Sequence, residues 1–427
     1  MAKWDAFELN EEDERETLAD YEDIGYARKP ARIPLAIAFL AAIAGISFAA
    51  TSTADFVAHL DRQVHAMHCS VVPGAQASLG ESGCRTVMLS PYSSWFRDQY
   101  WGGIPISLLA MAVFAFLAYR IGHLTWRGRP ARIETGLILL ATVLPVVMSV
   151  VYGQLAMSKV GEMCDVCIGI YWSSGILFIS MLVAVFMSEG QAAVVPGGGV
   201  RRFAVGLLEG ASFVAVAGLI YVSAMPVVTA GNAAVKGTAG CGVLTQPEDK
   251  NRIMIDLSTH SGGTPSIEIL DPLCPACRAF DERLVASGLH KKLSQKAVLF
   301  PLDPKCNWMV KESLHPGACA VSEAMLCAPG EAKRILGWAF EKQEALLKLG
   351  TDDKKLRSLI KSTFPGVKDC LGTAVARNKV VRSLRWAVAN ALPVMTPQLF
   401  VGGKRLCDED TDLGLEYTLT RMLGGAQ

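Results

Sequence analysis

Five long apolar runs dominate this chain, at about 33–50, 102–119, 133–152, 166–186 and 203–223. Each is about 18–21 residues long, the length an α-helix needs to cross a hydrocarbon core of roughly 30 Å. One such run alone could be a buried helix of a soluble domain. Five in succession, in a chain that is 51% hydrophobic, cannot all be, so part of the chain lies in lipid. The first run follows an acidic stretch of thirty residues with little periodicity, and its length and lead fit a retained anchor better than a cleaved signal peptide. The acidic stretch itself reads as a mobile tail.

Basic residues set the expected orientation. Arg28, Lys29 and Arg32 precede the first run, Arg120, Arg127, Arg129 and Arg132 lie between the second and third, and Arg201 and Arg202 lie between the fourth and fifth. These loops are expected on the cytoplasmic side. The 51–101 loop, the 153–165 loop and everything beyond about 224 then face the other way. Net charge is +1, so there is no bulk electrostatic case for nucleic acid as a partner.

Beyond the fifth run, "GNAAVKGTAGCGVLTQPEDK" (231–250) reads as linker. A soluble pattern follows: a strand "SIEIL" (266–270), a C-x-x-C, a helical stretch to about 294, and a strand "AVLFPL" (297–302). A mostly helical segment over 309–388, a strand "PQLFVGG" (397–403) and a last helix near 411–423 complete it. This is an α/β order. The expected division is an acidic cytoplasmic tail (1–32), a helical membrane domain (33–190), a fifth membrane helix (191–226), a linker (227–263) and an α/β domain (264–427).

The chain holds twelve cysteines, many for a compartment where thiols are kept reduced. Four of them form two C-x-x-C pairs, Cys164/Cys167 at the start of the fourth run and Cys274/Cys277 directly after a strand. A cysteine that opens a helix sits among unpaired N–H groups that favour its thiolate, and Pro275 at the first helical position loses nothing by lacking an N–H. Cys164 and Cys167, at the edge of the bilayer, can meet a lipid-soluble oxidant from within and a protein thiol from outside. Cys69 and Cys84 lie in the long loop before them. If all three pairs are redox-active, the remaining six cysteines admit fifteen pairings, and the sequence does not choose among them. Zinc is the competing use, with Cys306, His315 and Cys319 as further ligands, but a lone C-x-x-C lacks the second half of a structural zinc site.

"CPAC" after a strand, together with "MTPQLFVGG", resembles the thioredoxin fold in its DsbA-like form with a helical insertion. The resemblance implies that Thr396–Pro397 is a cis peptide packed against the active-site disulfide, and that Cys306–Cys319 is a structural disulfide of the insertion. Cys327–Cys370 and Cys241–Cys407 would complete the set. Ala276 stands where that family has a histidine, which removes a donor to the thiolate.

The order Cys69, Cys84, Ser90, an Ile-Pro opening a helix, and the later C-x-x-C resembles the vitamin K epoxide reductase family over about 33–190. Members of that family joined to a thioredoxin-like domain by a fifth helix match the chain end to end. The resemblance implies that Cys167 faces a bound quinone with Ser90 nearby, that Cys164 exchanges with Cys69 and Cys84, and that the thioredoxin-like domain feeds that loop pair. "WFRDQYWGGIPIS" is longer than the family's usual passage at that place. His68 reads as a surface histidine, and Tyr171 and Trp172 as interfacial aromatics. Asp165 either tunes Cys164 or is simply solvated at a helix start.

The expectation is a membrane thiol oxidase that forms disulfides in exported proteins. Electrons would pass from client thiols through Cys274/Cys277, Cys69/Cys84 and Cys164/Cys167 to ubiquinone, menaquinone, plastoquinone or phylloquinone, and no metal is called for. Its partners would be reduced exported proteins and the membrane quinone pool, in a bacterial inner membrane with the α/β domain periplasmic, or in a thylakoid membrane. The rivals are an outward-facing disulfide reductase or isomerase, and a metal-binding thiol sensor. The former needs a cytoplasmic electron donor, and no cysteine falls in a cytoplasmic loop.

Overall fold

A computed structural model of the chain describes residues 31–61, 69, 83–127, 132–188, 198–224, 241–258 and 262–424. All but the end of the acidic tail, His68, Arg28, Lys29, Arg129 and the first part of the linker lie outside the described residues. The chain divides into two compact units, one made of residues 1–58, 65–87 and 106–220, the other of 59–64, 88–105 and 221–427.

The first unit is helical. It contains α1 (Arg32–Ala58) and α2 (Gly83–Leu89). The second unit's short strands β1 (Ser94–Trp95) and β2 (Ile104–Pro105) come next in the chain, followed by α3 (Ile106–Arg127), α4 (Arg132–Leu155), α5 (Asp165–Met187) and α6 (Gly198–Ala224). Among the described residues, five helices are long and apolar enough to cross a membrane, which makes this an integral membrane protein. Water does not drive helices together inside lipid, so packing depends on close approach and on polar contacts between helices. Both are present. Gly45 of α1 lies so close to the Phe114 ring that an added Cβ would come within 2.6 Å of it. Gly169 of α5 meets the ring of Phe48 in the same way, at 2.7 Å. Thr53 hydrogen-bonds Ser107 at 2.9 Å and Ser149 bonds Ser174 at 3.1 Å, each also bonding the carbonyl one turn back in its own helix. Leu35, Phe114, Leu117, Ile121, Leu177 and Met181 fill the centre. α6 differs in that most of its apolar side chains face outward, as suits a helix whose solvent is lipid. α4 continues as one π-helical turn, Ala156–Val160, stopped by Gly161 at φ +78° just before the first C-x-x-C.

The second unit is built on a five-stranded mixed sheet, β3 (Ile255–Asp256), β4 (Thr264–Leu270), β5 (Leu293–Leu299), β6 (Gln398–Val401) and β7 (Lys404–Arg405), in the order β3-β5-β4-β6-β7. β4 is central, parallel to β5 and antiparallel to β6. The helix α7 (Pro275–Ala286) follows β4. Between β5 and β6 lie α8 (Ala318–Cys327), α9 (Ala332–Glu341), α10 (Gln343–Leu349), α11 (Asp353–Thr363) and α12 (Ala374–Ala389), and α13 (Leu415–Gly424) closes the unit.

Four sequence expectations need correction. The linker of 227–263 ends early, because Ile255–Asp256 joins the sheet beside β5 and Cys241 is bonded to Cys407. The helix after the dithiol stops at Ala286 rather than near 294. Gly288, at φ +73°, turns the chain out of the helix, so that β5 starts at Leu293. The insertion becomes helical only at Ala318, since residues 300–317 form a loop pinned by Cys306–Cys319. The "GG" at 402–403 is the two-residue turn between β6 and β7, with both glycines at positive φ.

The passage 88–105 also belongs to this unit. Its Arg97 is buried, with Nε on Ser94 Oγ (2.6 Å) and Nη2 on Ser93 Oγ (2.8 Å) and on the Ser90 carbonyl. Burial pulls the guanidinium down to about 10, although Glu416 opposes the shift. The Trp101 indole donates to Asp410 Oδ1 at 2.7 Å, in space left by Gly414, where a Cβ would lie 2.3 Å from the indole nitrogen.

Gly45→Ala is expected to lower the melting temperature of the detergent-solubilised protein, by an overpacking cost of about 1–3 kcal/mol. Gly175→Ala, also in a membrane helix but with nothing within 4 Å of the added Cβ, is expected to leave it unchanged.

Candidate functional site

Two C-x-x-C sites are built in the same way, one in each unit. In the helical unit, Cys164 occupies the N-cap of α5 and its carbonyl accepts from the Ile168 amide at 3.0 Å. Cys164 is 6% exposed and Cys167, one turn on, is half-buried. Both are free thiols. Cys69 and Cys84 form a disulfide. Cys84 packs with Phe48, Cys164 and Val166 in one buried apolar cluster, bordered by Cys69, Cys167 and Ile170. The start of α2 approaches closely here, since a Cβ on Gly83 would lie 2.3 Å from the Met163 carbonyl oxygen. The structure thus brings a disulfide and a dithiol into one small cluster. A hydrogen bond with Cys167 draws the Cys164 thiol below its ordinary value against the cost of burial. Asp165 is half-buried on the first turn of α5, Trp172 is exposed, and Tyr171 borders Gly153. Ser90 falls in the other unit, where it is buried.

In the α/β unit, Cys274 is the N-cap of α7 and Pro275 its first residue. Cys274 is 4% exposed and Cys277 fully buried. Cys274 Sγ lies 3.7 Å from the Thr396 carbonyl oxygen, and the Thr396–Pro397 peptide is cis. The hydrogen bond with Cys277, followed by the contact with Thr396, takes the Cys274 thiol down to about 6, while Asp271 pushes the other way. Burial, Cys274 and the neighbouring Glu268 hold Cys277 well above its ordinary value. One sulfur is therefore a thiolate near neutral pH and its partner a thiol, which is the asymmetry that thiol–disulfide exchange needs. The other cysteines of this unit form Cys241–Cys407, Cys306–Cys319 and Cys327–Cys370 disulfides. In that state their sulfurs do not offer thiolate ligands to a metal.

Sequence reasoning missed two groups beside Cys274 and Cys277. Glu268, inside the strand read only as "SIEIL", is almost fully buried and accepts a hydrogen bond from Gln295. Burial, reinforced by Asp281, raises its carboxyl to about 8, so at neutral pH it holds a proton, within electrostatic reach of Cys277. Its signal in the sequence was an ionisable residue in the middle of an apolar strand running into a C-x-x-C. The second group is Asp271, the residue three before Cys274, with His315 bonded to it at 2.8 Å.

The first of these sites is a membrane-edge dithiol packed on a loop disulfide, the arrangement of a membrane thiol oxidoreductase. Residues 36–182 match the vitamin K epoxide reductase family, and the matched stretch holds Cys69, Cys84, Cys164 and Cys167. This part of the chain is a domain of that family, followed by an α/β unit that lies outside the match. No curated protein and no solved structure matches the chain.

Glu268 gives a stability prediction with a definite sign. Its carboxyl rises from an ordinary value of about 4.5 to about 8 on folding, so the folded state holds the extra proton between those values. Stability is full below about pH 4.5 and falls as pH rises to about 8. Melting of the oxidised protein in detergent, compared at pH 5 and pH 8.5, is expected to show that fall. Glu268→Gln should remove most of it and be the more stable form at pH 8.5 by a few kcal/mol.

Proposed function

We propose that this protein oxidises the thiols of exported proteins to disulfides and passes the electrons to a membrane quinone. The observation that carries the reading is the cluster in which Cys84, bonded to Cys69, packs on Cys164. A disulfide and a dithiol in contact can exchange; apart, they cannot.

The α/β unit acts as the client-facing oxidant, a DsbA-like thioredoxin domain. The β3-β5-β4-β6-β7 order and the dithiol at the start of α7 support that identity. A client thiolate attacks Cys274 of the Cys274–Cys277 disulfide, and Cys277 leaves. Its sulfur then takes the proton held by Glu268. A second client thiolate attacks the client sulfur of the mixed disulfide and expels Cys274, whose low thiol value makes it a good leaving group. The client now holds a disulfide and the α/β unit two electrons.

By the same exchange, Cys274/Cys277 reduce Cys69–Cys84, and these in turn reduce a Cys164–Cys167 disulfide. Cys167 fits a lipid-soluble acceptor, being half-buried on the first turn of α5 at the border of an apolar cluster. A quinone held there supplies the sink for two electrons and two protons.

Charge supports the direction of insertion. Arg32, Arg127, Arg132, Arg201 and Arg202 stand at or near one set of helix ends, and the α5 terminus with Cys164 belongs to the other set. The dithiols then face a periplasm or a thylakoid lumen, where clients are oxidised. Exposed Leu314, Val394 and Met395, close in sequence to His315 and to Pro397, offer apolar surface to an unfolded client.

The test follows quinone absorbance while the full-length protein in detergent is mixed with a reduced, unfolded cysteine protein. One quinone is expected to be reduced for every two thiols lost, and Cys164→Ala should abolish the coupling. Thiol loss without quinone consumption would overturn the reading.

A further inference from the structure

The dipeptide between Cys274 and Cys277 is Pro-Ala, so no side chain inside the motif can donate to the thiolate. A cation reaches the site from elsewhere in the fold. Asp271, at the C-terminal end of β4, is fully buried, and its carboxylate accepts from the Leu273 amide (2.7 Å), the Leu302 amide (2.7 Å) and His315 Nδ1 (2.8 Å). The Asp271 carbonyl accepts from the Cys274 amide at 3.1 Å. A carboxylate so close to Cys274 works against a second negative charge there.

The loop that bears His315 is held in several ways. The Leu314 and His315 amides donate to the Leu302 carbonyl, the Cys306–Cys319 disulfide closes the loop around them, and Asp303 accepts from the Gly317 amide at 3.0 Å. A Cβ on Gly317 would lie 3.6 Å from Leu273 Cδ1, which places this loop beside the residue preceding Cys274. The charged and titratable groups that act on His315 are Asp271, Asp303 and Cys274. Burial opposes its protonation, but these three outweigh burial and raise the imidazole above its ordinary value. Lys305 of the same loop is engaged with the Gly350 carbonyl.

We propose that His315 is a positioning residue of the C-terminal dithiol: as imidazolium it neutralises the buried Asp271 carboxylate and so lets Cys274 exist as a thiolate and leave as one. This rests on the reading of Cys274 and Cys277 as an exchanging dithiol. Each turn of exchange still moves the same electrons between the same sulfurs. His315 changes only how well Cys274 carries negative charge.

The reduced full-length protein in detergent is pulsed with iodoacetamide between pH 4.5 and 8.5, and alkylation of Cys274 is followed by peptide mass spectrometry. The wild-type midpoint is expected near about 6. His315→Gln should raise it by about one unit, a roughly fivefold loss of alkylation at pH 6. His315→Lys, which keeps a cation, should stay near wild type. The Asp271→Asn/His315→Gln double variant should also return towards wild type, because the opposing carboxylate has gone with its counter-ion. A purely structural role for His315 would give a double variant at least as displaced as the single one, and that result overturns the proposal, as does an unchanged midpoint in His315→Gln. A wild-type midpoint in the ordinary thiol range would sink the dithiol reading itself, and the proposal with it, and is told apart by being visible before any substitution is made.

Discussion

The first turn of a helix has N–H groups with no partner inside the helix, and the chemistry of both units depends on what is placed there. Here it is sulfur. Cys164 and Cys274 occupy the N-caps of α5 and α7 in extended backbone conformation, and neither makes the side-chain hydrogen bond by which a Ser or Asp would cap the helix. A thiolate at that position gains from the helix end, and a second cysteine three residues later lies one turn above it. The same local geometry thus serves a helix in lipid and a helix on a sheet. What differs is the surroundings, with an apolar cluster and a loop disulfide at α5, and buried carboxyl groups with a histidine at α7.

Those buried groups divide the work between two sulfurs. Burial and the bond with Cys274 hold Cys277 high, and Glu268 adds to this, so the buried thiol keeps its proton. Asp271 discourages charge on Cys274, yet Cys274 is the sulfur that carries it. The structure therefore needs compensation on the Cys274 side and none on the Cys277 side, and His315 stands on Asp271. The Cys306–Cys319 bridge, which by sequence alone is a staple of an insertion, gains a second meaning from this, because the loop it closes carries the histidine.

Much of the architecture was legible. Five apolar runs imposed five helices, and strand, C-x-x-C, helix order imposed an α/β unit. Two elements were not readable, for physical reasons. β3 is only two residues long, and its pairing with β5 makes it a strand. β7 follows a glycine turn whose backbone is visible only once β6 is placed. At the sites, the cysteines declare themselves by spacing, whereas Glu268, Asp271 and His315 carry no motif. Asp271 and His315 are 44 residues apart in the chain and meet only because the end of β4 and the loop after β5 lie side by side.

Twelve cysteines in one redox protein raise a problem of selectivity, and access answers part of it. In the α/β unit, Cys319 and Cys407 are buried, and Cys319 and Cys327 anchor two of the bridges on α8. Attack on such a disulfide requires the thiolate to reach a sulfur along the S–S axis, and the burial of Cys319 and Cys407 closes that approach at those two sulfurs. Cys241–Cys407 closes a separation of 166 residues, so opening it would also return the loop-closure entropy of a long chain segment. Cys69–Cys84 is different, since it has the free Cys164 as a neighbour in its own cluster. Contact with a free thiol makes this pair the one suited to open and close, while the bridges of the α/β unit hold the exchanging dithiol in shape.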